Sequence, residues 1–398
     1  MSFSSSPQEQ ELIPSLPNDI ALNILARVPR SQHPSLSLVS KPIRSLLSSP
    51  PFFAARTALH STESIFYLTS LNKSESWYAL YRHPNNIFAP FPIPPIPSSS
   101  YPHDAAFAVL GPNIYVIGGT LCSSGPPSYM SSFFCSGEPD IPSAEVWVLD
   151  CRFNRWGPGP TMLTARSHAI ANVVDGKIYV MGGVSEFSRG IKAEVLDPAV
   201  GNWVELPCPF HIRKPTLLKE RFYFRDRCVE RNGGVTGLFV RPIIYPFTIP
   251  GEASAVVDEK VYINTQVHDE IYHQVVFDTR SGAWDCVVGW ENKLYLGPVL
   301  VDGVIYDYNR RGKIRGFDVK KRTWMSANID GRAESNTFIF AHADGKFILI
   351  WGDEVVKCNE IEVHWNGDGE LLARICSTHE IVSIPRHYAK QHCLAVVL

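Results

Sequence analysis

The stretch Ser167–Trp203 reads SHAIANVVDGKIYVMGGVSEFSRGIKAEVLDPAVGNW and holds one complete structural unit. Ile170 to Val174 alternates in polarity up to a turn at Asp175-Gly176, and Lys177 to Met181 is a second β-branched and aromatic run that stops at Gly182-Gly183. Ala193 to Leu196 supplies a third strand, Asp197-Pro198 and Gly201-Asn202 turn the chain, and Trp203 opens a fourth. Four short strands joined by tight turns predict one antiparallel sheet, which is the blade of a β-propeller.

Working outward, the same order of features recurs. Upstream, NIYVIGG at Asn113 to Gly119 is followed by EVWVLDCRFNRW at Glu145 to Trp156. Downstream, VVDEKVYI at Val256 to Ile263 leads to VVFDTRSGAW ending at Trp284, and VDGVIYDY at Val301 to Tyr308 leads to GFDVKKRTW ending at Trp324. ADGKFILIWGDE, Ala343 to Glu354, keeps the turn and the apolar strand and replaces the glycine pair by Trp351-Gly352. Repetition in fixed order is stronger evidence than any single turn or tryptophan. The units resemble the kelch repeat, whose marks here are Gly118-Gly119 with Trp156 and Gly182-Gly183 with Trp203; Trp284 and Trp324 belong to looser copies that lack the double glycine. A glycine pair admits a close strand approach, and the tryptophan is expected to plug the space between neighbouring blades.

The composition fits a soluble, strand-rich globular protein: 398 residues, 45% hydrophobic, 19% charged, with 31 Pro and 27 Gly for many turns. A formal net charge of -2 gives no electrostatic case for a nucleic-acid or membrane partner. No apolar run reaches membrane-spanning length and the N-terminus lacks signal-peptide character. Nine cysteines without CxxC spacing predict reduced thiols and a cytoplasmic or nuclear setting.

Residues 1–11 form a polar, serine-rich tail expected to be disordered. From Leu12 to about residue 58 the period turns helical. Ile20, Ile24, Leu25 and Val28 are expected on one helix face that Pro17 starts and Pro29 ends; Pro34 and Pro42 start further short helices, and Pro50-Pro51 is read as the stop of the last. Three short helices make a marginal core that calls for a partner. The segment resembles the F-box through Leu16-Pro17, Asp19, Ile20, Ile24-Leu25, Val28-Pro29, Leu38, Val39-Ser40-Lys41, Arg44-Ser45-Leu46 and Phe52, with Ile43 where the family often has tryptophan. The resemblance implies that this hook binds a Skp-type adaptor, and through it a cullin ligase, with Leu16, Pro17, Ile20, Ile24, Leu25, Val28, Pro29, Leu38, Val39, Ile43 and Leu46 in the contact.

The remainder, 59–398, is expected to be the propeller. Ser64 to Leu71 and Trp77 to Arg82 are strands, and Ile87 to Pro97 is an outer edge capped by prolines. This blade lacks its innermost strand, and His392 to Leu398 is an apolar strand with no blade of its own, so the two complete each other and close a ring of about six blades. Residues 213–252 repeat nothing cleanly and are either an insertion or a degenerate seventh blade.

Chemistry-bearing motifs are scarce. His268, Asp269, Glu270 and His273 are the densest set of metal-ligand types, but HDEIYH lacks the HExxH spacing and is expected in a loop. The expectation is no metal, no cofactor and no catalytic residue. Thr120 to Ser143 is an unusually long loop carrying Tyr129, Phe133 and Phe134, expected to emerge beside Gln266 to His273 and to contact an unidentified protein substrate. Along nearly its whole length the chain resembles the plant-type F-box/kelch-repeat proteins, which implies the substrate receptor of a Skp/cullin/F-box ubiquitin ligase. A metal-dependent kelch-propeller enzyme and an interaction scaffold without ligase remain as alternatives.

Overall fold

A computed structural model describes residues 11–398 apart from 71–76, 83–87, 99–101, 122–140, 185–192, 208–225, 230–234, 240–253, 269–270, 288–298, 310–312, 322, 330–337, 344, 353–355, 367–369 and 382–389. The chain begins with a helical hook of α1 (Asn18–Leu25), a 3-10 turn (Arg30–Gln32), α2 (His33–Leu36), α3 (Lys41–Leu47) and α4 (Pro50–Ala58). Pro50-Pro51 starts a helix where a stop was expected. Proline has no N–H to lose in a first turn and its φ is already helical, so the pair nucleates α4. Ser40 caps α3 by accepting the Ile43 N–H at 3.3 Å.

Six four-stranded antiparallel sheets follow. Blade 3 has the outline read from its sequence: Ile170–Val174, Lys177–Met181, Ala193–Asp197 and Asn202–Leu206, in that order from the inside outward. The first strands of the six sheets each touch their two counterparts, which closes a ring. Blade 1 takes its innermost strand from the far end of the chain: Lys390–Val397 pairs antiparallel with Ser64–Ser70, placing Ser64 opposite Val397 and Phe66 opposite Ala395. Its outer strand, Phe88–Ile93, carries the edge prolines. No helix among the described residues is long and apolar enough to cross a membrane.

The core is divided among the junctions between blades. One cluster joins blades 2 and 3 around Tyr115, Ile178, Val180 and Trp203, the next joins blades 3 and 4 around Ile170, Met181, Val261 and Phe277, and comparable clusters occupy the other four junctions. Because blade 3 packs directly on blade 4, no blade intervenes. The described part of 213–252 is a two-stranded ladder, Asp226–Val229 with Val235–Phe239, separate from the six four-stranded sheets.

Tryptophan and glycine recur in these junctions for separate reasons. Trp156, Trp203 and Trp284 each donate the indole N–H to the carbonyl of a proline that follows the preceding blade's last strand: Pro94 at 2.7 Å, Pro160 at 2.7 Å and Pro207 at 3.1 Å. Gly183 has φ +71°, and a Cβ there would lie 2.5 Å from the Ser167 carbonyl oxygen, so glycine alone fits. Gly118 meets the same limit against the Arg166 carbonyl.

Candidate functional site

Helix geometry splits the hook's apolar stripe. At about 100° per residue, Ile20 and Ile24 fall on one side of α1 while Ala21 and Leu25 fall on the other. Leu25 and Ile43 are buried with Ala26, Leu47, Phe52 and Phe53 in the hook's own core, and Leu46 packs against it. The single face expected for Ile20, Ile24, Leu25 and Val28 is therefore two faces, and Leu25 and Ile43 hold the hook together from inside. Leu16 and Val28 are partly buried, Pro29 likewise, and Pro17 caps α1 in the open. What remains outside is a set of aliphatic side chains: Ile20 and Ile24 are 44% and 48% exposed, Leu38 77% and Val39 68%.

The hook is seated on the ring through charge and aromatic contacts. Arg56 of α4, 1% exposed, donates to the carbonyls of Ala26 and Val28, closing the C-terminal end of α1, and lies 3.6 Å from Glu63. Burial pulls the Arg56 pKa down, with Glu63 opposing and Arg30 adding to the fall. Arg30 reaches out of the hook to the carbonyls of Cys151 and Arg152 in blade 2. Phe53 meets Phe153 edge to face at 5.7 Å. His33 Nε2 faces the Val28 carbonyl at 3.1 Å, so that nitrogen carries a proton; burial first, then the Arg30 charge, lower the His33 pKa to about 4. The ring is therefore neutral at physiological pH.

Antiparallel blades have two ends, and the hook marks one of them. It rests on the turn between the third and fourth strands of blade 2 at Cys151 and Arg152, and Gly111-Pro112, the turn between its first and second strands, lines the cleft beside α4. Loops between second and third strands, and the connections from blade to blade, therefore lie on the far face. Thr120–Leu121 and Ile141–Pro142, the roots of the long loop of blade 2, join Pro102–His103 in a small three-stranded sheet there. Tyr129, Phe133 and Phe134 lie outside the described residues. Ile141 and Leu163, 61% and 63% exposed, stand on the same face; sequence reading missed both, since isolated leucine or isoleucine in a loop carries no pattern.

His268 and His273 are in strands, contrary to the loop expected for them. Lys260–His268 and Ile271–Asp278 continue their pairing to the tip, with Thr265 opposite His273 and His268 opposite Ile271. The alternating sequence VYINTQVH supports ladder pairing for longer than its polar residues suggested. Asp269 and Glu270 lie outside the described residues. Among the described residues no three His, Cys, Asp or Glu side chains gather in a way that could hold a metal ion.

Buried charge is concentrated at blade junctions. Arg166 and Glu194, each 1% exposed, pair at 2.7 Å; Arg166 also donates to the Gly182 carbonyl, and the Glu194 carboxylate accepts the backbone N–H of Leu163 and Thr164. Asp307 pairs with Arg315 in blade 5, and Glu360 of blade 6 takes Lys346 of its own blade and Arg82 of blade 1. Burial alone would raise the Glu360 pKa, but the Lys346 and Arg82 charges and the Ser377 hydroxyl outweigh it and the net shift is downward. Each of these carboxylates is matched by a cation: Arg82–Glu360 ties blade 1 to blade 6, while Asp307–Arg315 joins two strands within blade 5.

Two family models match this arrangement in order, an F-box domain over residues 13–54 and the FKB95 Kelch-repeats domain over residues 77–233. The Arabidopsis thaliana F-box/kelch-repeat protein At4g39560 is 34% identical over 55% of this chain and 79% of its own length. The chain belongs to the F-box/kelch-repeat proteins. Two further members from Arabidopsis thaliana extend the likeness along the whole chain. F-box/kelch-repeat protein At4g39590 is 29% identical over 92% of this chain and 86% of its own, and At4g39580 is 27% identical over the full length of both. In this F-box/kelch-repeat protein the F-box match falls in the helical hook and the kelch match in the first three of the six blades.

Proposed function

We propose that the protein is the target-recognition subunit of a Skp/cullin/F-box ubiquitin ligase. The hook takes a Skp-type adaptor through Ile20, Ile24, Leu38 and Val39, with Leu16, Pro17, Val28, Pro29 and Leu46 at the margins. The propeller holds a protein target on its far face, around Ile141, Leu163 and the loops that carry Tyr129, Phe133, Phe134, Asp269 and Glu270. The chain supplies no catalytic group; it raises the effective concentration of a target lysine near a conjugating enzyme. The cytoplasm and nucleus, where such ligases and reduced thiols coexist, are its place of action.

The observation that carries this reading is the hook's exposed aliphatic set. A unit that encloses Leu25, Ile43, Leu47, Phe52 and Phe53 still exposes four branched side chains, Ile20, Ile24, Leu38 and Val39, within the F-box segment, on a small domain with little core to spare. The test is capture of a purified Skp-type adaptor with its cullin by the full chain and by Ile24→Asp/Leu38→Asp. Capture by the wild type alone, with both proteins melting at the same temperature, is expected. Equal capture by the variant overturns the reading.

A further inference from the structure

We infer that Arg30 is a positioning residue that locks the hook in one orientation on the ring, and so fixes where a target on the far face stands relative to a ligase on the hook. The consequence for the ligase rests on the function proposed above; the lock itself does not. Two units in one chain move against each other by default unless the surface between them is large and well packed. Here only a short segment, residues 59–63, separates the last helix from the first strand, and a few contacts decide whether it swivels.

Arg30 makes those contacts from a position 6% exposed. Its Nη2 donates to two carbonyls, Cys151 and Arg152, each at 3.2 Å, in the turn before the last strand of blade 2. Its guanidinium lies 5.4 Å from the Phe53 ring of the hook and 6.0 Å from the Tyr81 ring of blade 1. One side chain thus touches the hook and two blades at once, and a planar group with several donors suits that arrangement better than a point charge would. The Tyr67 hydroxyl donates to the same Cys151 carbonyl at 3.2 Å, which fixes the acceptor from the side of blade 1.

The backbone of the same residue completes the lock. The Arg30 N–H donates to the Glu63 carboxylate at 2.9 Å, the carboxylate that also faces Arg56. Glu63 in turn exchanges backbone hydrogen bonds with Leu398 in both directions, at 2.8 and 3.0 Å. The segment between hook and ring is therefore clamped to the strand that closes the ring. Among the described residues, the side-chain hydrogen bonds of Arg30 go to the ring and none to the hook's own backbone. Removing it loosens the joint and leaves the hook's core, Leu25 to Phe53, in place.

The test uses the full chain carrying spin labels on non-natural residues at Ser48 on the hook and Ala199 on a turn of blade 3, both exposed. Pulsed dipolar spectroscopy reads the distance distribution between them, beside adaptor capture and the melting temperature of the same proteins. The wild type is expected to give one narrow distance. Arg30→Ala is expected to broaden the distribution about twofold, the behaviour of an untied pair of domains, with adaptor capture and melting unchanged, and Arg30→Lys to fall between the two. A wild-type width in Arg30→Ala overturns the inference. Should Arg30→Ala fail to fold, Arg30→Gln keeps most of the volume and carries the same decision: broadening supports the lock and a wild-type width overturns it. If the wild type captures no adaptor, the proposed function falls while the distance distributions still decide the role of Arg30.

Discussion

Ile24 and Leu25 are neighbours in the sequence and should behave as opposites when each is cut back to alanine. Ile24 is 48% exposed on the free hook and Leu25 only 5%. Truncating an isoleucine removes three carbons, worth about 2.4 kcal/mol on full transfer from water. Since half of Ile24 is already covered, ~1.2 kcal/mol of that remains to be gained against a partner. For Leu38, more than three-quarters exposed, the same reasoning leaves ~1.8 kcal/mol. Ile24→Ala/Leu38→Ala should therefore weaken adaptor binding by about 3 kcal/mol, on the order of 150-fold. Hook stability should hardly move, because alanine is the better helix former at Ile24, Leu38 lies in an exposed turn, and no cavity opens in the core.

Leu25→Ala should do the reverse. Emptying a core position costs about 2 to 5 kcal/mol of folding free energy, while the adaptor face is left intact in every molecule that stays folded. Calorimetric titration with a purified Skp-type adaptor measures the first quantity, and native-state hydrogen exchange of the α1 amides measures the second. Binding by Ile24→Ala/Leu38→Ala within about twofold of wild type, a difference of ~0.4 kcal/mol, would refute the argument, as would unchanged exchange in Leu25→Ala.

Three further outcomes follow from the geometry. Glu194→Ala strands the Arg166 guanidinium at 1% exposure and should cost the propeller about 3 to 5 kcal/mol in urea unfolding, with adaptor binding unaffected. Gly183→Ala forces a Cβ against the Ser167 carbonyl at a positive φ and should lower the melting temperature, with a loss of about 1 to 3 kcal/mol. His33 has a folded pKa depressed to about 4 from 6.5, so its contribution is complete above pH 6.5 and is lost as pH falls through that value toward 4. The hook should lose at most about 3 kcal/mol over that window, read as lower α1 protection factors, corrected for the intrinsic pH dependence of exchange, at pH 5 than at pH 7.5, and His33→Gln should flatten the dependence.

Local pattern carried most of the fold. Asp175-Gly176 and the runs on either side of it set a blade without reference to anything distant, and the missing inner strand of blade 1 left Lys390–Val397 one place to go. What escaped the sequence was long-range or ambiguous in phase. The stripe from Ile20 to Val28 spans about 140° of helix, wide enough to be cut by the surface, and nothing local says where the cut falls. Pro50-Pro51 stops one helix or starts another with equal chemistry, and the tertiary contacts of Phe52 and Phe53 decided for a start. Glu194 sits in a strand like any exposed glutamate until Arg166, 28 residues earlier, is brought under it. The joint of Arg30 with Cys151 spans 121 residues and leaves no trace in either segment.

The loosening of the repeat after Gly183 has a physical reason in how a ring of blades is held. Each blade touches only its two neighbours, so each junction can be solved separately and a change in one leaves the others undisturbed. At the three junctions from blade 1 to blade 4 the solution is a tryptophan N–H placed on the previous blade's proline carbonyl. Farther round, the junction of blades 5 and 6 sets Tyr306 edge to face against Phe347 at 4.8 Å, and the junction of blades 6 and 1 sets Glu360 between Lys346 and Arg82. The kelch match extends over residues 77–233 and stops before the last three blades, although those blades have the same four strands in the same order. The fold requires only that each junction be filled and its charges matched. Blades 4 to 6 are thus free to vary where they meet each other, and the constraint that remains on them is to deliver the closing strand to Ser64–Ser70 beside the hook.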